Sequence, residues 1–157
     1  MKDLIAICVL SLFAWMPSVA AGQNHCGNRD LRDQFAGAWR LASLEQPGTD
    51  WKVHRIDCCG MFVFTRDGHA SVQVMERNPQ VNTPAGAHQY SQGGYEASWG
   101  TYKVDERAHT FTFHIEGALV RTLIGKDLPR VYEFSGKQLI VKSTRSDEHW
   151  RVAWERY

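Results

Sequence analysis

Little in this sequence runs to excess, and much is missing. Basic and acidic residues nearly cancel, 18 against 17, for a net charge of +1. No basic run is interleaved with aromatics, which argues against a nucleic-acid partner. The chain contains no N-x-[ST] acceptor; "NTP" at Asn82 does not fit. It also contains no nucleophile elbow, zinc signature or phosphate-cradling loop, so no motif implies a cofactor. No stretch has the helical length that would connect parallel strands, and no internal repeat or heptad is visible. The longest apolar run, Leu4 to Met16, falls short of the about 20 residues of a membrane-spanning helix.

That apolar run has a different reading. Lys2 supplies a short positive start, Pro17 ends the run, and small residues follow. This is the pattern of a secretory leader cleaved after Ala20 or Ala21. The expected organisation is a signal segment over 1–21, an extension with a short helix over 22–34, and one domain over 35–157. Export, to the periplasm or the exterior, places the mature chain where disulfides persist. Cys8 leaves with the leader; Cys26, Cys58 and Cys59 remain. An odd count is met most simply by one bridge and one free thiol, with Cys26 joined to Cys58 or Cys59. A metal set of His25, Cys26, His54, Cys58 and Cys59 matches no zinc spacing. No stable membrane insertion is expected after cleavage.

What remains is strand and turn. "NRDLRDQFAG" gives one or two helical turns, with Asn28 as N-cap and Leu31 and Phe35 on one stripe. After Ala36, short strands follow at regular spacing. They are "AWRLASLE", "GMFVFTRDGHASVQVM" as a hairpin around Asp67-Gly68, "YEASWGTYKV", "TFTFHIEGAL", "RVYEFSG", "KQLIVKS" and "EHWRVAWERY". A long polar loop, "ERNPQVNTPAGAHQYSQGG", interrupts them, and "VRTLIG" is a further candidate strand. About eight antiparallel strands of consecutive neighbours must curl, split or close. The expectation is an all-β, closed up-and-down barrel able to hold one small ligand.

The faces of two segments matter for that ligand. A two-residue turn at Asp67-Gly68 pairs Phe62 with Gln73 and Phe64 with Ser71, so Phe62, Phe64, Ser71, Gln73 and Met75 share one face. The other face, with Met61, Val63, Val72 and Val74, is then an aliphatic surface. In "TFTFHIEGAL", Phe111, Phe113 and Ile115 oppose Thr112, His114 and Glu116. Bulk favours burying the phenylalanines. With the other face inward, His114 joins Gln73, Arg130, Tyr132 and Tyr102 in an aromatic lumen with a few polar points.

These residues resemble a known family. "GAWRLASLE" resembles the lipocalin G-x-W signature, and "VAWERY" places Arg156 where lipocalins close a basic side chain over that tryptophan. The ordered set "FAGAWRLASLE", "GMFVFTRDGHASVQVM", "YEASWGTYKVD", "FHIEG" and "AWERY" is similar to the bacterial and fungal lipocalin-like domain family over roughly residues 35 to 157. The resemblance implies a lipocalin/calycin-like barrel with Trp39 and Arg156 as a structural pair at its floor. Where the family carries two adjacent histidines, this chain has Phe113-His114, so only His114 carries over. The three mature cysteines are not part of the family pattern. The resemblance also tips the choice of face toward His114 and Arg130 inside, with Phe62, Phe64, Tyr102 and Tyr132 holding an apolar body.

The expected function is binding of a small apolar or amphipathic molecule in the lumen. The alternatives are a barrel isomerase or cyclase using His114 as acid or base, and an interaction module docking through the aliphatic hairpin face.

Overall fold

The computed structural model describes residues 26–48, 52–78 and 94–157. The expected leader and most of the long polar loop fall outside them. Helix α1 covers Cys26–Phe35. It starts two residues before Asn28, which lies in its first turn. The strands are β1 (Gly37–Pro47), β2 (Val53–Ile56), β3 (Cys58–Phe64), β4 (His69–Glu76), β5 (Tyr95–Asp105), β6 (Thr110–Ala118), β7 (Asp127–Ser135), β8 (Gln138–Ser143) and β9 (Arg151–Arg156).

Every pairing is antiparallel, and β1 pairs with both β3 and β9. Eight strands therefore close a barrel, and β2 is one strand more than the sequence suggested. It continues β3 past Asp57 and pairs with the far half of β1, from Leu44 opposite Ile56 to Pro47 opposite Val53. The register of β1 against β9 slips between Leu41 and Ser43, a local bulge that bends the wall. "VRTLIG" is not a strand: Arg121–Leu123 form a short 3-10 turn. It leads the chain back to β6, where the Gly125 amide donates to the Ile115 carbonyl at 2.8 Å.

The hairpin register differs from expectation by one residue. Phe64 faces Ala70, Phe62 faces Val72 and Met61 faces Gln73. The loop is Arg66-Asp67-Gly68, one residue longer, and it closes with Thr65 N–H donating to His69 O at 2.9 Å. Gly68 sits at φ 97°, the left-handed position that a three-residue hairpin loop needs. A slip of one residue flips every side chain on one arm. Ala70, Val72 and Val74 thus join the interior, Gln73 and Met75 turn outward, and the continuous aliphatic docking face does not exist.

The choice of face on β6 is also resolved. Phe111, Phe113 and Ile115 are buried. His114 points out of the barrel, its side chain 47% exposed, with Nδ1 2.8 Å from an Asp127 carboxylate oxygen. The lumen placement expected for His114 is therefore corrected: burying three large apolar groups outweighs burying one imidazole.

One end of the barrel is sealed from within. Phe35, the last residue of α1, is fully buried. Its ring lies 5.2 Å from Phe64, 5.6 Å from Phe111, 4.9 Å from Tyr132 and 5.1 Å from Phe134. Trp39 Nε1 donates to the Phe35 carbonyl at 2.7 Å. The Arg156 guanidinium donates to the Ala36 carbonyl at 2.8 Å and to the Gln34 carbonyl, and its carbon stands 4.3 Å from the Trp39 ring centre. Gly37 is required beside it. Its φ is 129°, and a Cβ there would come within 2.8 Å of Arg156 Nη1.

The expected cysteine bridge is not formed among the described residues: Cys58 and Cys59 are both free thiols, and the side chain of Cys26 lies outside them. β3 carries Cys58 away from the floor, roughly 20 Å from Phe64 at about 3.3 Å per residue. Burial, and then the neighbouring Cys59, push the Cys58 thiol above its ordinary pKa.

Two predictions follow from this packing. Arg156→Ala lowers the unfolding free energy by about 1–2 kcal/mol, from the cation–π contact and the lost carbonyl partners, read as a shifted denaturant midpoint. Phe113→Ser costs several kcal/mol, whereas His114→Phe leaves the midpoint within about 0.5 kcal/mol. Equal midpoints for the last two variants would contradict the assignment of the β6 faces.

Candidate functional site

Above the floor the lumen opens into a cavity of about 320 Å³, at the lower end of the roughly 300–1,000 Å³ of small-molecule sites. Its base is aromatic: Phe62, Phe111, Phe113 and Trp154. Phe62 organises them, its ring 5.4 Å from Trp154 and 6.0 Å from Phe113. Val72 and Val74 of β4, Val141 of β8 and Val152 of β9 make the walls, with Leu44 and Leu128 higher up. Strand alternation explains why these walls are dry. Each strand sends every second side chain inward, and where β4, β8 and β9 line the cavity those residues are valine or tryptophan.

Polar groups in the lining are few: Gln46, Glu96, Ser98 and Arg130. Ser98 is only 5% exposed and has no side-chain hydrogen-bond partner among the described residues. Arg130 comes from the inward face of β7, which also carries Leu128 and Tyr132. Its guanidinium carbon lies 5.1 Å from the centre of the Trp150 ring. Its Nη1 donates to the Pro129 carbonyl at 2.9 Å. Burial pulls the Arg130 pKa below its ordinary value, partly offset by the fields of Glu148 and Glu96.

Trp150 is itself held in place. Its Nε1 donates to Glu148 Oε2 at 3.2 Å, and the Ser143 hydroxyl donates to the same oxygen at 2.6 Å. Arg145 Nε stands 3.2 Å from the other carboxylate oxygen. The hydrogen bond from Ser143, then that from Trp150, hold the Glu148 carboxyl below the usual carboxylate range.

The residues singled out from the sequence divide three ways. Phe62 and Arg130 line the cavity. Phe64, Tyr102 and Tyr132 face inward but belong to the floor around Phe35. The Tyr102 hydroxyl is engaged there, donating to the Thr65 carbonyl at 2.9 Å. Gln73 and His114 lie on the outer surface, for the reasons of register and bulk given above. Sequence reasoning missed Phe111, Phe113, Trp154, Trp150 and Glu96 as lining residues. The period-two spacing of Trp150, Val152 and Trp154 was the available signal for the last strand.

The Glu148 contacts generate a pH prediction. A carboxyl whose folded pKa is lowered keeps its contribution above the ordinary value and loses it as pH falls through the lowered one. The Trp150 indole N–H resonance therefore shifts on acidification, with a midpoint below the roughly 4.3 of an unperturbed glutamate. Glu148→Gln abolishes that titration. A midpoint at or above the ordinary value would show that Glu148 does not hold Trp150.

No curated protein matches the chain. A family model described as a lipocalin-like domain matches residues 36–157, a span that holds every strand of the closed barrel together with Trp39 and Arg156. With its eight-strand closure, internal cavity and stoppered floor, the chain belongs to the lipocalin-like domain family, a ligand-binding kind of barrel.

Proposed function

We propose that this protein is exported and binds one small apolar or amphipathic molecule inside its barrel. The observation that carries the reading is the cavity: about 320 Å³, aromatic at its base, aliphatic along its walls and polar at only a few points. An apolar body transferred there leaves water at roughly 25 cal/mol per Å² buried. The few polar groups then set orientation and choice of ligand. Export is supported by the leader pattern of residues 1–21. The isomerase or cyclase reading depended on His114, which faces away from the lumen, and no observation on the lumen favours it. The docking reading depended on an aliphatic hairpin face that the register dissolves.

Native mass spectrometry of the protein from its own source tests this reading. The expected result is one small molecule per chain on a polypeptide shortened by 20 or 21 residues. Val72→Trp, which fills the cavity from the β4 wall, removes that molecule while the far-ultraviolet circular dichroism stays that of a β-barrel. Retention of the molecule by the filled variant would place its site elsewhere. A full-length mass would overturn export.

A further inference from the structure

Arg130 is an unusual residue to find on such a wall. It is half-buried and contributes to an apolar cavity, yet it makes no ion pair among the described residues. The acids near enough to influence it are Glu148 and Glu96. Glu148 already receives Ser143, Trp150 and Arg145. Glu96 stands on β5, separated from β7 by β6, and is exposed. A cation taken part-way out of water without a partner is unfavourable. The Trp150 ring stabilises it from one face only. The guanidinium keeps further N–H donors beyond the one given to Pro129, in a fork that matches a carboxylate.

We propose that the lumen selects a monoanionic amphiphile, whose carboxylate meets Arg130 and whose apolar body lies over Phe113 and Trp154. This rests on the lumen-binding reading above and adds the sign of the ligand's charge. The size also follows. A cavity of about 320 Å³ lies near the lower end of the roughly 300–1,000 Å³ of small-molecule sites. The matching ligand is a medium-chain or compact cyclic acid rather than a long-chain one. Among the described residues the lining holds no second cation, and Glu96, two strands away on β5, repels a dianion.

Isothermal titration of the purified protein with octanoate, octanol and octylamine decides the matter. Octanoate binds at least about tenfold more tightly than octanol, the worth of a charge-assisted hydrogen bond, and octylamine binds most weakly. Arg130→Met brings octanoate down to the level at which the same variant binds octanol. Glu96→Gln keeps Arg130 and its stacking in place, so it reads the same charge preference even if the arginine variant fails to fold; it tightens octanoate severalfold. Equal binding of octanoate and octanol, with no response to Glu96→Gln, overturns the anionic head and leaves the lumen reading standing. Preference for octylamine does the same. Failure of all three to bind overturns both.

Discussion

The architecture depends on how one short helix ends. The last turn of α1 leaves backbone carbonyls without partners inside the helix, at the negative end of its dipole. Three of them, on Gln34, Phe35 and Ala36, are taken up by Trp39 and Arg156. Those two residues sit opposite each other on β1 and β9, the pair of strands whose meeting closes the barrel. The capping of the helix and the closure of the sheet are thus one event. Phe35 enters the lumen because the carbonyls around it are held at the floor, and its ring then gathers the aromatic side chains of β3, β5, β6 and β7.

That arrangement divides the interior by height. The lower part is a packed aromatic core in which Tyr102 and Tyr132 are structural, and burial raises both phenols above their ordinary pKa. The upper part is a cavity lined by other inward positions of the same strands together with β4, β8 and β9. The division separates a packed core from an open cavity. Residues of similar type, such as Phe64 and Phe62, fall on opposite sides of it by a single step along β3.

The sequence showed its elements well and its inner faces poorly, for reasons that particular residues make plain. Period-two alternation marked most strands, because a strand buried on one face cannot hide its pattern. Asp67-Gly68 marked the hairpin but left the loop length open. Bonds of the Thr65 hydroxyl to Asp67 and to the His69 carbonyl accompany the longer loop, and that one residue moved Gln73 out and Val72 in. At β6 the bulk of Phe111 and Phe113 pointed to the correct face, and a family feature at His114 pointed to the wrong one. Phe35 was legible as part of a helical stripe. Its role as a stopper was not, because it requires four strands to be in place around it. The Arg130–Trp150 contact joins β7 to the segment before β9, and nothing local in either stretch announces it.

A vessel stoppered at one end has a single way in and out. Whatever enters this lumen cannot pass through it, so loading and release share one path across the rim, past the Trp150 indole and the hydrogen bonds that hold it to Glu148. The floor then governs whether the barrel persists, and the rim governs how long an occupant stays. Changes at the rim that leave the cavity shape alone would alter residence time by moving the barrier common to both directions, with the equilibrium unchanged.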